Sequence, residues 1–363
     1  MKYNKLSFLL VLIVIAALLS ACSQTKSTNE NKNNLITSDN ESDTAVDNTE
    51  ISQPKGILED LLKDTQGTVN KIALSNMTVE ELALTSQGTL YALAEGNLYE
   101  IKSMDQVNPI NLNKVFSTFH VVESDQEVII IAGGVNGEIY TYSTLNSKWE
   151  EVEIDTKEAP VNIIRSSKDG KIYVGQSSKF GGGLWKSDDK GKSWNKLSDL
   201  TVRGITIHPK EQNVLYIVDE LAYISTDEGS SFIKINTKAN YGILIHPLQS
   251  NAIYHAFSIG VETTDIEGNI SSYLRFYLEG SMTKLALNPI DVNEWLMGFW
   301  NYPLGTGGLY YSTNHGALWS EVEGELIDKL VLDIVFSGDG SIAFVSTKDH
   351  GIWTINLPMI RSK

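Results

Sequence analysis

Cysteine is almost absent from this chain, which holds a single one, Cys22, among 363 residues. A lone cysteine excludes a disulfide within the chain. The six histidines lack the paired spacing of metal ligands, and no glycine-rich loop lies between a strand and a helix to cradle a phosphate. We therefore expect neither a cofactor nor a metal site.

Positive charge is also scarce, because 29 lysines and arginines face 45 acidic residues, and four of the cations are arginines. The formal net charge is −16. Such a balance disfavours contact with phosphate backbones and anionic headgroups. We therefore expect no nucleic acid and no anionic lipid surface among the partners of this protein.

The N-terminus combines positive charge with an apolar run. Lys2 and Lys5 precede the run from Leu6 to Leu19, about 14 residues, whereas a permanent membrane-spanning helix needs roughly 20. Small residues then lead to the cysteine in Leu19-Ser20-Ala21-Cys22, which resembles a bacterial lipoprotein signal. The resemblance implies that residues 1–21 are removed and that Cys22 carries a diacylglycerol thioether on the extracytoplasmic face of the cell membrane. The alternative is an uncleaved membrane anchor with an ordinary buried cysteine.

Residues 22–55 have the composition of a tether. Asparagine, serine, threonine and acidic residues dominate this segment, and large apolar side chains are nearly missing. Such a sequence buries too little surface to fold. A flexible chain of this kind has a mean span of about 30 Å, which is enough to hold a domain clear of lipid headgroups.

One motif occurs three times further along the chain. Its pattern is S-x-D/N-x-G-x-x-aromatic, in which a serine and an acid or amide bond backbone N–H groups across a tight turn, and glycine supplies a positive φ. We expect the final aromatic ring to point into the core. The motif residues are Ser187, Asp189, Gly191 and Trp194; Ser225, Asp227, Gly229 and Phe232; and Ser312, Asn314, Gly316 and Trp319.

This motif resembles the Asp-box, or BNR repeat, of sialidases, sortilin-like receptor domains, photosystem II assembly factors and several glycoside hydrolases. The resemblance implies a β-propeller, and it implies that the twelve motif residues are structural. We call these segments the box turns.

The spacing of short apolar runs supports the same fold. Between Leu74 and Pro358 the chain divides into seven units of about 41 residues, the length of a four-stranded propeller blade. The last unit lacks room for a fourth strand, so we expect residues 68–74 to close the ring. The sequence thus predicts an all-β, seven-bladed propeller over residues 56–363, with six blades as the alternative if the weak fifth unit merges with a neighbour.

Binding residues are expected on the face opposite the box turns, where the loops between second and third strands lie. Arg203 is a candidate anchor for a carboxylate of a partner. Trp300 and Tyr302 form an aromatic pair on a loop with glycine and proline, and they suit stacking on a sugar ring or an apolar side chain. Burial of the two rings against the blade is the alternative interpretation.

Glycoside hydrolysis needs two carboxyl groups roughly 5–9.5 Å apart. Glu80, Asp219 and Asp333 are the weak catalytic candidates on the expected face. Sialidase activity is disfavoured, because the chain has no Arg-Ile-Pro motif and too few arginines for the cluster that a sialidase uses. The sequence therefore favours a membrane-anchored binding or scaffold propeller with a glycan or protein ligand, and the alternative is a hydrolase of the BNR type.

Overall fold

The computed structural model describes residues 67–362, apart from positions 111, 125–126, 153, 155–158, 179–180, 220, 236, 238, 240–241 and 277. Cys22 and the expected tether, residues 22–55, lie outside the described residues. Within the described part of the chain, no helix is long and apolar enough to cross a membrane.

These residues form 28 β-strands in seven antiparallel sheets of four, each a propeller blade. Blade 1 contains β2 (Val79–Leu84), β3 (Leu90–Ala94), β4 (Asn97–Ser103) and β5 (Gln106–Pro109). Blade 2 contains β6 (Phe116–Glu123), β7 (Val128–Gly134), β8 (Ile139–Ser143) and β9 (Lys148–Val152). Blade 3 contains β10 (Val161–Ser166), β11 (Ile172–Ser178), β12 (Gly181–Ser187) and β13 (Asn195–Ser198).

The remaining blades follow in chain order. Blade 4 contains β14 (Gly204–Ile207), β15 (Leu215–Val218), β16 (Ala222–Ser225) and β17 (Ile233–Ile235). Blade 5 contains β18 (Gly242–His246), β19 (Gln249–Phe257), β20 (Gly260–Thr264) and β21 (Ile270–Arg275). Blade 6 contains β22 (Ser281–Leu287), β23 (Trp295–Asn301), β24 (Thr306–Ser312) and β25 (Ser320–Glu321). Blade 7 contains β26 (Val331–Phe336), β27 (Ile342–Thr347), β28 (Gly351–Asn356) and β1 (Val69–Ala73).

The first strand of the described chain closes the ring. β1 pairs antiparallel with β28, with Val69 opposite Ile355 and Asn70 opposite Thr354. Blade 7 therefore takes its outer strand from one end of the domain and its other three from the opposite end. This pairing confirms the predicted seven blades and the predicted closure, and the six-bladed alternative is wrong.

The core lies between the blades. A separate apolar cluster occupies each junction between neighbouring blades, including the junction of blades 7 and 1. Second strands such as Leu90–Ala94 and Leu215–Val218 are buried at every residue, because neighbouring blades cover both of their faces. This two-sided burial explains why their sequences are continuous apolar runs.

The box turns share one hydrogen-bond pattern. Ser187 Oγ donates to Asp189 Oδ1 and accepts the N–H of Gly191, both at 2.8 Å. The Asp189 carboxylate accepts the N–H of Ser193 at 2.8 Å and its hydroxyl at 2.6 Å. Gly191 has a φ of 89°, a backbone conformation that is strained for a residue with a side chain. Blade 4 repeats these contacts with Ser225, Asp227, Gly229 and Ser231, and blade 6 repeats the serine and backbone contacts with Ser312, Asn314 and Gly316.

The aromatic residues that end the box turns differ from the expectation. Trp194, Phe232 and Trp319 are half-buried, whereas we expected core positions. Each ring borders an apolar cluster between blades from the start of an outermost strand, so one side of it remains near solvent. Trp194 also donates its indole N–H to the carbonyl of Gly191 at 3.1 Å.

The box carboxylates predict an acid-sensitive fold. Hydrogen bonds from Ser193 to Asp189, and from Ser231 to Asp227, lower each carboxyl pKa from 3.8 to about 2. A lowered pKa in the folded state stabilises the fold above the ordinary pKa, and this contribution is lost as the pH falls from about 4 through 2. Carboxyl-carbon NMR titration should give midpoints near 2 for both groups. Ser193→Ala and Ser231→Ala should move them toward 3.8, and a midpoint near 4 in the unmodified protein would contradict the assignment.

A short helix, α1 (Leu357–Arg361), follows β28 and pins the C-terminus to blade 6. Arg361 donates from Nε and Nη2 to the two carboxylate oxygens of Glu294, at 2.7 and 2.6 Å. Tyr311 and Asn288 also donate to this carboxylate, which is 2% exposed.

Two ends of the ring can now be distinguished. The box turns and the loops between first and second strands lie at one end, which we call the box face. The loops between second and third strands and the connections between blades lie at the other end, the loop face.

Candidate functional site

A cavity of about 340 Å³ lies among the inner strands of blades 3 to 6. Most of its lining is apolar or glycine, and the charged residues among its described lining are Arg165, Arg203 and Lys284. It includes residues at the start of β14 and β18 and at the end of β15, so it lies toward the loop face.

Glycine makes room for this cavity. Gly204 and Gly242 begin the inner strands of adjacent blades, and both line it. Gly242 has a φ of 112°, and a Cβ at this residue would meet no atom within 4 Å. A larger residue there would therefore project into open space that a ligand can occupy.

In five blades a β-bulge in the innermost strand directs the side chain that follows it toward the axis. The pairing of the first and second strands shifts by one residue just before Glu81, Thr118, Ile163, Lys284 and Asp333, which are the equivalent positions of blades 1, 2, 3, 6 and 7. Bulges of this kind re-aim a side chain relative to a regular strand. Four of the five positions carry a charged or hydroxyl side chain.

Carboxylates at two of these positions staple neighbouring blades. Asp333 accepts the N–H of Leu82 in the next blade at 2.9 Å and the ammonium of Lys284 at 2.6 Å. Glu81 accepts the hydroxyl of Thr118 at 2.7 Å and the N–H of Phe119 at 3.1 Å. Both acids are thus committed to the inner ring of strands.

The cationic side chains that line the cavity are more exposed than the carboxylates with which they pair. Arg165 lies 3.7 Å from Glu81, Arg203 lies 3.6 Å from Asp219, and Lys284 contacts Asp333. Between 34% and 58% of each cationic side chain is exposed, compared with 6–28% of each carboxylate partner. The cavity therefore presents positive charge although the whole chain is strongly acidic.

Burial shifts the pKa values of two further groups of the inner strands, Glu81 and His120. It raises the pKa of Glu81, with Arg165 opposing the rise and Asp333 adding to it. Burial, assisted by Arg165, lowers the pKa of His120 to about 3, so this imidazole is neutral at physiological pH. His120 Nε2 accepts the N–H of Ser166 at 3.2 Å and lies 2.9 Å from its hydroxyl, which links blades 2 and 3.

The three catalytic candidates do not meet in this cavity. Asp333 is buried in the blade staple, and Asp219 pairs with Arg203 at the loop face. Glu80 points away from the axial ring, because it is exposed and accepts the N–H of Glu95 at 2.9 Å. None of the three is among the described residues that line the cavity.

The three binding candidates do not lie together either. Arg203 lines the cavity, whereas Trp300 and Tyr302 belong to the β23–β24 hairpin and do not. Trp300 is half-buried and Tyr302 is exposed. His255 is fully buried in β19, where Thr237 and Thr264 flank its ring nitrogens at 3.1 and 2.9 Å.

Arg165 is a charged residue of the cavity that the sequence analysis did not single out. It follows Ile163 and Ile164 in β10, so it is a charge directly after an apolar run in an inner strand. That interruption was the available signal.

The fold and the axial cavity define a seven-bladed β-propeller with a cationic central site. No protein-family model matches the sequence, and no curated protein sequence matches it. Similar solved structures include YCF48 from Cyanidioschyzon merolae, with a TM-score of 0.62 and 11% identity over 80% of this chain and 99% of that chain. YCF48 bound to D1 peptide has a TM-score of 0.60 and 14% identity, covering 79% and 94% of the two chains.

A third similar structure is an inactive virginiamycin B lyase from Staphylococcus aureus with quinupristin. Its TM-score is 0.61 and its identity 11%, over 79% of this chain and 98% of that chain. Identities at this level show the shared fold alone.

Proposed function

We propose that this protein is a membrane-anchored, extracytoplasmic binding or scaffold propeller, and that its axial cavity holds a carboxylate of a protein or glycan ligand. The observation that carries the proposal is the cationic lining of the cavity. Arg165, Arg203 and Lys284 converge on it with no acid among its described lining residues. Guanidinium groups bind carboxylates through paired, charge-assisted hydrogen bonds.

Arg203 is the strongest anchor in this proposal. It is the most exposed of the three cations, and its ion pair with Asp219 is long, at 3.6 Å. A ligand carboxylate can therefore bind its free N–H groups without displacing a tight internal partner. The apolar walls formed by Ile205, Ile243 and Leu285 would exclude water around that contact.

The solved structures give an analogy for a protein ligand. YCF48 has been solved with a D1 peptide, and the virginiamycin B lyase with quinupristin. The complex of YCF48 with a peptide supports a peptide as the first ligand class to test.

Anchoring forms the second part of the proposal. The resemblance of residues 1–22 to a lipoprotein signal supports a lipid on Cys22 and an extracytoplasmic location. Mass spectrometry of the protein isolated from membranes should find a diacylglycerol-modified Cys22 at the new N-terminus.

Arg203→Gln should weaken ligand binding about tenfold or more, because a hydrogen bond to a charged group contributes about 1.5–3 kcal/mol. Binding is measured with the full chain against pools of acidic and neutral peptides and of acidic and neutral cell-envelope glycans. The matched control is Arg275→Gln, at an exposed arginine of the outer strand β21. Equal weakening by both variants, or a preference for neutral ligands, would contradict the proposed site.

Release of reducing sugar is measured in the same samples. Binding without release supports the binding-module proposal. Release that is lost in Glu81→Gln or Asp333→Asn while binding persists would establish the hydrolase alternative in its place.

A further inference from the structure

The same proline turn recurs in three successive blades at the box face. His208-Pro209-Lys210, His246-Pro247-Leu248 and Asn288-Pro289-Ile290 connect the first and second strands of blades 4, 5 and 6. In each turn the first side chain accepts the N–H of the third residue, at distances of 3.1–3.3 Å. We call Lys210, Leu248 and Ile290 the tip residues.

These turns are fastened to one another. His208 Nε2 bonds the carbonyl of Ser250 at 2.9 Å, and His246 Nε2 bonds the carbonyl of Asn288 at 2.6 Å. Asn288 in turn donates to the carbonyl of Gly340 in blade 7 at 2.9 Å. The tip residues therefore stand on a rigid, continuous rim.

The tip positions are solvent-exposed, and two of them are aliphatic. Leu248 is 63% exposed, and Ile290 is also exposed. Blade 4 places a lysine on the same turn, so the backbone geometry does not demand an apolar tip. The box turn of blade 6 adds Leu318, another exposed aliphatic residue at the same end of the ring. Exposed apolar groups on neighbouring turns indicate a contact surface.

The described part of the chain begins at this end of the ring. Thr68 precedes β1, and its carbonyl accepts the N–H of Asn356 at 2.9 Å. The next residue, Leu357, donates its N–H to Ser341 in the loop between the first and second strands of blade 7. Thr68 also lines a cavity of about 460 Å³ together with Leu318 and Ile360. Thr68 and the start of β1 therefore lie at the box face, and Thr68 shares this cavity with Leu318 of blade 6.

We propose that the box face of blades 5 and 6 rests on the phospholipid surface to which the chain is tethered, with Leu248, Ile290 and Leu318 in the headgroup region. This inference rests on the membrane anchoring in the proposed function. Shallow insertion of apolar side chains binds proteins at the membrane interface, and a tether raises the effective concentration of weak contacts. The cationic cavity, which lies toward the loop face, then faces away from the membrane.

The charges around the tips define the kind of lipid. Glu211, Asp291 and Glu321 adjoin the turns and the box strand of blade 6. Their negative charge opposes anionic headgroups. The surface that fits is zwitterionic, such as phosphatidylcholine, and the contact is driven by apolar burial.

The test measures membrane contact residue by residue. The full chain is reconstituted in phosphatidylcholine vesicles, where either a lipid on Cys22 or an uncleaved apolar run holds it. Tryptophan is introduced by Leu248→Trp or, as the matched control on the loop face, by Leu304→Trp, since Leu304 is 67% exposed. Quenching by lipids brominated near the headgroup, corrected for the native tryptophans, should be at least twofold greater for Leu248→Trp. Adding Ile290→Ser and Leu318→Ser should reduce that difference.

Each other outcome overturns the inference in a distinguishable way. Equal quenching of the two variants in floating vesicles refutes the docking and leaves the anchor intact. Protein that does not float refutes the anchoring itself, and the docking with it, but not ligand binding at the cavity. A concentration-dependent shift of the Leu248→Trp emission without vesicles assigns the surface to a second copy of the chain.

Discussion

Asp333→Ala is expected to lower the free energy of unfolding by about 3 kcal/mol. Asp333 is buried and joins three blades, since it accepts the N–H of Leu82 in blade 1 and the ammonium of Lys284 in blade 6. Its removal leaves a buried donor unpaired and a cation without its counter-charge. Breaking a buried ion pair costs about 3–5 kcal/mol, and the lower value applies because Lys284 is 36% exposed. Denaturant unfolding followed by circular dichroism measures the change.

Two variants make this result specific to the staple. Asp333→Asn keeps an acceptor for Leu82 and removes the charge, so its effect should lie between those of Asp333→Ala and the unmodified protein. Glu80→Ala, at an exposed acid of the inner strand β2, should cost about 1 kcal/mol or less, the contribution of one ordinary hydrogen bond. A similar loss at both acids would show that Asp333 has no special role at the junction of blades 7 and 1.

Arg361→Met is expected to destabilise the domain by about 2–3 kcal/mol. Arg361 supplies two charge-assisted hydrogen bonds to Glu294, whose carboxylate is almost fully buried. This contact also raises the pKa of Arg361, so the guanidinium keeps its charge. The expected loss is smaller than for a fully buried pair, because 41% of the Arg361 side chain is exposed.

The control for this variant is Arg275→Met at the exposed outer strand of blade 5, where a change of about 0.5 kcal/mol or less is expected. Amide hydrogen exchange gives a second readout. Arg361→Met should increase exchange in α1 and at the end of β28 before the other blades respond. Unchanged exchange in α1 would disprove its attachment through Glu294.

Local chemistry made much of the fold predictable. The box turns carry their hydrogen-bonding side chains at fixed spacing, and the second strands are continuous apolar runs because they are covered on both sides. The closing strand could be found from the missing fourth strand of the last unit. Blade 5 was harder, because its turn uses Asp265 and Asn269 without the serine and glycine spacing of a box turn.

The site was less predictable because it depends on the register in which the inner strands pair. A one-residue bulge separates Glu80 from Glu81, and the bulge places Glu81 in the axial ring while Glu80 stays at the exposed hairpin. Side chains alternate between the faces of a strand, so a single-residue shift reverses which of two adjacent acids faces the axis. Arg165 was missed because one charge after a short apolar run is a weak signal, and its place at the cavity depends on packing between blades.

The pairing of β1 with β28 also sets the timing of biogenesis. Asn70 and its partner Thr354 are separated by 284 residues, so β1 is synthesised long before β28 and has no partner until β28 follows. Contacts of such sequence separation form slowly. A chain synthesised from its N-terminus would therefore have six blades able to form while the seventh is still open. Its ring can close only after translation has reached Asn356.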